Sequence, residues 1–92
     1  MKIDEAQLLI QETIKKSYEI FSKDSKWQPI VSTRIQLDYI LSALNKDNDR
    51  SKLKDIIIGI IAVREFEANY EEFSNMIYKV VEIVDLMKKG RI

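Results

Sequence analysis

The most apolar stretch of the chain runs from Ile56 to Val63 and contains no charged or polar side chain. Its apolar positions, continued back to Leu53, recur at spacings of three and four, which favours a helix over a strand. No second strand candidate is present to pair with it, and an unpaired strand would leave its backbone groups unsatisfied. We therefore expect one helix from Arg50 to about Phe66, buried nearly all round at the centre of the domain. Gly59 within it suggests close approach by a neighbouring helix.

Three other stretches carry the spacing of amphipathic helices. They run from about Asp4 to Ser22, from Gln28 to Asn45, and from Asn69 to just before Gly90. Asp4 and Asn69 each precede a Gln or Glu by three residues, which is the pattern of a capping box. Pro29 suits the first turn of a helix, and Gly90 suits the position just after a helix end.

The apolar positions also predict which side of each helix faces the core. The expected inward positions are Ile10, Ile14, Ser17 or Tyr18 and Phe21 in the first helix, Ile30, Val31, Ile35, Leu37, Leu41 and Leu44 in the second, and Phe73, Met76, Ile77, Val80, Ile83, Val84 and Met87 in the last. Arg34, Asp38 and Lys46 are expected to face solvent. Because short connections favour antiparallel neighbours, the sequence predicts an all-α, compact, mainly antiparallel four-helix domain over residues 1–92, with a buried aliphatic third helix.

The chain contains neither His nor Cys. His is the commonest general base and metal ligand, and Cys supplies thiolate ligands and nucleophiles. The acidic turn that holds Asp47 and Asp49 has some likeness to a calcium loop, but Lys52 and Ile58 occupy the positions where an EF-hand needs Gly and Glu. We therefore expect no enzymatic activity, no cofactor and no metal site.

Charge and hydropathy argue against two further classes of partner. Lys and Arg number 15, as do Asp and Glu, so no overall positive charge favours nucleic acid. The apolar run Ile56–Val63 is too short to span a membrane. Asp4, Glu5 and Gln7 interrupt the N-terminal segment, where a signal peptide would be apolar. We expect a cytoplasmic protein that binds neither nucleic acid nor membrane.

Acidic side chains cluster where the third helix leads into the fourth. Residues 64–85 hold six acidic and two basic side chains, a net charge of minus four, and the cluster comprises Glu65, Glu67, Glu71 and Glu72. Carboxylates in the first turn of a helix stabilise it by about 0.3–1 kcal/mol each, which accounts for Glu71 and Glu72. The other two either keep a corner soluble or form an acidic surface that binds a basic partner. Tyr39 poses a similar choice between the edge of the core and an interface anchor.

Three segments in the middle of the chain carry a family pattern. They are Gln36-Leu37-x-Tyr39-Ile40-x-Ser42, Asp49-Arg50-Ser51-x-Leu53 and Gly59-x-Ile61-Ala62-Val63-x-Glu65-Phe66-Glu67. Together they closely resemble the small α-helical immunity proteins of bacterial type VI secretion that are paired with NAD(P)-glycohydrolase effectors. The likeness extends from about Trp27 to the start of the last helix, with a slightly shorter loop before Asp49.

This resemblance implies a function that composition does not show. Such immunity proteins stay in the cytoplasm, bind the toxin domain of their effector and cover its active site so that NAD(P) cannot enter. Related effectors of the same fold act on adenine nucleotides in other ways. We expect a one-to-one complex in which Glu65 and Glu67 meet the basic surround of the nucleotide pocket, with Tyr39, Asp49 and Arg50 as the competing contact site. The alternative class is a non-catalytic helical interaction module, either a secretion chaperone or a self-associating assembly subunit.

Overall fold

The chain folds into four α-helices with two short helical segments of other types. The computed structural model describes residues 1–92 and contains no strand. The helices are α1 (Ile3–Ile20), α2 (Gln28–Ala43), α3 (Ile58–Ile61) and α4 (Glu71–Lys88). A 3₁₀-helix, Ser51–Asp55, precedes α3, and a π-helix, Ala62–Phe66, follows it directly. The predicted all-α four-helix fold is confirmed. None of the helices is both long enough and apolar enough to cross a membrane.

Much of the core is built on α4, whose apolar face matches its sequence pattern. The predicted inward positions that are buried are Phe73, Ile77, Val80, Ile83, Val84 and Met87. Met76 is half-buried. α4 packs against α1, α3 and both short helical segments. Burial of one large apolar side chain stabilises a fold by about 1.5–3 kcal/mol, so α4, rather than α3, is the helix on which most of the others rest.

The third helix is shorter and more exposed than its sequence predicted. One continuous helix from Arg50 to Phe66 does not form, because the 3₁₀-helix ends at Asp55 and α3 begins only at Ile58. Its fully buried side chains, with those of the π-helix, are Ile58, Ala62 and Phe66, whereas Ile57, Ile60 and Val63 are 48%, 58% and 58% exposed. α3 packs on α2 and α4, which cover one side of it and leave the other in solvent. The prediction of a central helix buried nearly all round is therefore wrong.

Gly59 marks a close contact between α3 and α4. A Cβ atom added at this position would lie 3.2 Å from Cγ2 of Val81 on α4, which is tighter than an ordinary van der Waals contact. The missing side chain therefore lets the two helices approach, as the sequence predicted, although glycine costs about 1 kcal/mol relative to Ala inside a helix.

The predicted helix ends are confirmed in two places and wrong in two. Neither Asp4 nor Asn69 caps a helix, because α1 and α4 have Lys2 and Tyr70 at their N-cap positions and no side-chain cap bond. Pro29 does lie in the first turn of α2. Gly90 has a φ of 69°, and the N–H groups that follow α4 bond back to Met87 and Leu86. This is the Schellman motif, in which a left-handed residue completes the helix end.

The inward faces of α1 and α2 differ from the predicted ones around one arginine. Arg34 was expected in solvent but is 8% exposed, whereas Ile35, expected inside, is 65% exposed. Ser17 rather than Tyr18 takes the buried position on α1. The Arg34 guanidinium lies 4.1 Å from the centre of the Tyr18 ring and donates hydrogen bonds to the carbonyl oxygens of Ser17, Phe21 and Ser22. These oxygens lie at the end of α1, where a cation is favourable, and α1 has no basic residue in its own last turn.

Candidate functional site

An exposed apolar row runs along α3 and the π-helix. Ile57, Ile60 and Val63 follow one another at intervals of three, so they lie on one side of the helix, and each is about half exposed or more. We call these three side chains the α3 stripe. Isolated exposed apolar side chains are common on protein surfaces, but a contiguous row is more typical of an interaction site. The sequence placed these residues in the core, so the stripe is a feature that the structure adds.

Glu65 borders the α3 stripe directly. A shallow depression beside the stripe is lined by Pro29, Ile57, Ile60, Ile61, Arg64 and Glu65. Glu65 is exposed and has no Lys or Arg nitrogen within 4.0 Å of its carboxylate. Its charge is therefore available to a partner, and it lies next to the apolar groups that the same partner would cover.

The π-helix carries residues of both the stripe and the acidic cluster, Val63 and Glu65. Its wide turn is closed by the N–H of Glu67, which donates to the carbonyl oxygen of Ala62 at 2.8 Å. Ala62 and Phe66 are four residues apart, share the core side of the helix and are both fully buried. Phe66 packs against Phe73 and Trp27 with ring centres 5.1 and 5.8 Å apart. Single π-turns within helices are frequent at functional sites.

Glu67 is held in place by α4. Its carboxylate accepts a short hydrogen bond from the hydroxyl group of Tyr78. That hydrogen bond, with smaller contributions from desolvation and from the carboxylate charge, raises the pKa of Tyr78 to about 12. Glu67 is exposed and Tyr78 is half-buried, so the contact orients the carboxylate without removing it from solvent.

The remaining members of the acidic cluster serve the fold. Glu71 and Glu72 lie in the first turn of α4, as predicted. Glu72 also forms an ion pair with Lys16 of α1, 3.2 Å from its Nζ atom. The cluster thus divides into an outward pair, Glu65 and Glu67, and a pair that belongs to the start of α4.

Tyr39 and Asp49 are brought together at the start of the 3₁₀-helix. The Tyr39 hydroxyl donates to the carbonyl oxygen of Asp49 at 3.0 Å and accepts from the N–H of Lys52 at 3.1 Å. The Asp49 carboxylate accepts hydrogen bonds from the N–H and the hydroxyl of Ser51 at 2.9 and 2.7 Å, which lower the pKa of Asp49. Asp49 therefore satisfies the first N–H group of the 3₁₀-helix from the residue before its N-cap, Arg50.

A second depression lies beside Tyr39. It is lined by Ile35, Gln36, Tyr39, Lys52, Asp55 and Ile56, and Ile56 directly precedes the first stripe residue. The Oε1 atom of Gln36 accepts a hydrogen bond from the N–H of Ile57 at 2.7 Å, which fixes the entry of the chain into α3. Each of the two contact sites that the sequence suggested therefore borders a depression, and only the depression at Glu65 includes stripe residues.

Arg50 has a different environment from the other predicted contact residues. It is half-buried, and its guanidinium donates to the carbonyl oxygens of Ala43 and Ile92 at 2.9 and 2.8 Å, with longer bonds to Leu44 and Met87. Ala43, Leu44 and Met87 lie at the C-terminal ends of α2 and α4, and Ile92 follows α4. Arg50 thus holds two helix ends together, as Arg34 does for the end of α1.

A comparison with family models then decides the family. The model named Tsi6 matches residues 5–85, which include α2, α3, most of α1 and α4, the stripe and every candidate contact residue. The chain belongs to the Tsi6 family. Tsi6 proteins are immunity proteins of type VI secretion. The match therefore confirms the immunity-protein family that the three sequence segments suggested. No match was found among curated proteins or among solved structures.

Membership of the Tsi6 family implies that the chain binds a cognate effector. The signal for the exposed stripe was present in the sequence, because the segment from Ile56 to Val63 has more apolar positions than one helix face can hold. Helical spacing alone does not say which of two apolar faces a neighbouring helix covers. In this protein the side of α3 that carries Ile58 is covered by neighbouring helices, and the side that carries Ile60 remains in solvent.

Proposed function

We propose that this protein is a cytoplasmic immunity protein that binds the toxin domain of an NAD(P)-glycohydrolase effector one-to-one and blocks entry of the nucleotide. The family match over residues 5–85 carries the immunity role. The specificity for NAD(P) rests on the likeness of the middle segments to immunity proteins paired with such effectors. The protein itself requires no chemistry for this role, since covering a site is sufficient.

The outward pair Glu65 and Glu67 gives the blockade a physical basis. A pocket for a dinucleotide has to attract a pyrophosphate, so its surround is electropositive. Carboxylates presented by an inhibitor are complementary to that surround and speed the encounter of the two proteins. Glu65 has no ion-pair partner of its own, and Glu67 is already oriented by Tyr78, so neither has to give up a salt bridge on binding.

The loop that contains Asp49 is the competing contact site. Tyr39, Asp49 and Arg50 would then supply the contacts in place of the acidic pair. Arg50 is bonded to two helix ends, so its replacement tests the fold as well as binding. Tyr39→Phe is a cleaner test of this site, since it removes only the hydroxyl that connects α2 to the loop.

Charge reversal tests the acidic pair. The double variant Glu65→Lys and Glu67→Lys should keep its thermal midpoint nearly unchanged, because surface substitutions usually shift stability by about 0.5 kcal/mol or less. Its association with the toxin domain of the cognate effector should slow at least about tenfold at low salt. The matched control is Glu5→Lys with Glu12→Lys, which changes the net charge equally on exposed positions of α1.

The assay measures NAD hydrolysis by that toxin domain with one equivalent of immunity protein. Wild type should abolish hydrolysis, and added salt should slow wild-type association once the Debye length falls below about 10 Å. If the double variant associates as fast as wild type while Tyr39→Phe loses protection, the contact lies on the loop instead. If the wild type binds the toxin domain but NAD hydrolysis continues, active-site occlusion is wrong.

A further inference from the structure

We propose that the α3 stripe is the apolar centre of the toxin interface, and that it determines how long the complex lasts. This inference rests on the proposed function. It adds the kind of surface that the partner presents, which is a patch of apolar side chains next to the basic surround of the nucleotide pocket. The stripe residues Ile57, Ile60 and Val63 supply the apolar contacts, and Glu65 supplies the adjoining charge.

The stripe has the arrangement of an interface centre. Arg64 and Glu65 line a depression together with the stripe residues Ile57 and Ile60, while Lys52 and Asp55 line a separate depression with Ile56, the residue before the stripe. Fully buried apolar groups surrounded by polar ones are the usual arrangement of protein interfaces, with most of the binding energy in the central groups. Charged groups at the margin mainly affect the rate of encounter.

The stripe is also rigidly supported from behind. α3 rests against α4 at the close contact of Gly59 with Val81. The π-helix is fixed by Phe66, which is fully buried among aromatic rings. A surface that is already ordered in the free protein loses little conformational entropy on binding. The three stripe side chains thus need little rearrangement to contact a partner.

The family match favours a toxin domain over a second copy of this chain, because an immunity protein of this family binds a cognate effector. The unpaired carboxylate of Glu65 beside the stripe suits the basic surround of a nucleotide pocket. Size indicates how much of the interface the stripe can supply. Ile58–Phe66 is nine residues of helix, about 14 Å long, and a stable interface needs about 800 Å² from each partner. The stripe is therefore the centre of a larger interface that includes the charged margins.

Separate measurements of the association and dissociation rates test whether the stripe determines the lifetime of the complex and the acidic pair its rate of formation. The variant Ile60→Ser with Val63→Ser should dissociate from the toxin domain at least tenfold faster than wild type, with an association rate within about threefold. Glu65→Lys with Glu67→Lys should instead slow association and leave the dissociation rate nearly unchanged. Leu8→Ser is the matched control, because Leu8 is 56% exposed on α1, a helix that packs mainly on α2 and α4. Ile57→Ser repeats the test on the third stripe residue and shows the same direction of change.

Each result supports or overturns the inference. Faster dissociation in both stripe variants, with Leu8→Ser unchanged and far-ultraviolet circular dichroism preserved, supports it. Dissociation within twofold of wild type overturns it while the immunity function stands. A wild-type protein that does not bind the toxin domain overturns both proposals. The inference is also overturned if light scattering shows a wild-type dimer and a monomer for Ile60→Ser with Val63→Ser, since the stripe would then face a second copy.

Discussion

Arg34 donates hydrogen bonds to both oxygens of Ser17. Its Nε atom lies 3.1 Å from the hydroxyl oxygen, and its Nη2 atom lies 2.9 Å from the carbonyl oxygen. The two residues are 17 positions apart and join α2 to the C-terminal part of α1. The guanidinium has no carboxylate partner, so carbonyl dipoles and the face of the Tyr18 ring compensate its charge. A buried cation thus stabilises a helix end that has no cation of its own.

Replacement of Arg34 should destabilise the fold strongly. Arg34→Met keeps most of the aliphatic stem but removes the hydrogen bonds of the guanidinium to Ser17, Phe21 and Ser22, and charge-assisted hydrogen bonds are worth about 1.5–3 kcal/mol each. We expect the free energy of unfolding to fall by about 2–4 kcal/mol, measured by urea denaturation. Arg34→Lys should recover only part of this, since lysine lacks the planar fork. Arg64→Met on the exposed face is the control and should have little effect. A small effect at Arg34 would show that water replaces these bonds.

Two nearby isoleucines should respond differently to replacement by aspartate. Ile58 is fully buried and Ile60 is 58% exposed. Ile58→Asp should unfold the domain, because an unpaired buried carboxylate costs several kcal/mol, whereas Ile60→Asp should stay within about 0.5 kcal/mol of wild type. Thermal unfolding followed by circular dichroism distinguishes them. Unfolding of Ile60→Asp would mean that the stripe side of α3 faces the core.

Two buried threonines provide a second matched pair. Thr33 Oγ1 is buried without a hydrogen-bond partner, whereas Thr13 donates to the carbonyl oxygen of Leu9 at 2.8 Å. Removal of an unsatisfied buried hydroxyl relieves its desolvation cost. We therefore expect Thr33→Val to stabilise the protein by about 1 kcal/mol, which raises the thermal midpoint by about 4–8 °C. Thr13→Val should give no such gain, because it also removes a satisfied bond. An equal change in thermal midpoint at both sites would contradict the difference in hydrogen bonding between Thr33 and Thr13.

The contact of Tyr78 with Glu67 should be visible in a titration. The pKa of Tyr78 is raised to about 12 chiefly by its hydrogen bond to Glu67, and Glu67→Gln should lower it toward the ordinary value of 10.0. Because the folded-state pKa is raised, the stability from this contact is present below pH 10 and is lost as the pH rises through about 12. NMR of a tyrosine-labelled sample measures the transition, and Tyr78→Phe assigns it. A wild-type transition near 10 would show that the contact is not formed.

Local sequence signals predicted much of the fold. The apolar spacing of α4 located nearly all of its core positions, because one helix face follows directly from the helical period. Pro29 and Gly90 marked a helix start and a helix end, since each residue restricts or permits backbone angles by itself. The three segments from Gln36 to Glu67 identified the family, and the absence of His and Cys gave no reason to expect catalysis.

The tertiary structure decided which groups are hidden and which are presented. The position of Arg34 inside the fold depends on oxygens of α1 that are distant in sequence, and no pattern local to α2 contains them. In the same way, the choice between the two apolar faces of α3 depends on where α2 and α4 pack. The sequence by itself determined three of the four α-helices, the family of the chain and the acidic residues beside α3. Packing alone exposed the α3 stripe, because burial depends on neighbouring helices and not only on the hydropathy of a side chain.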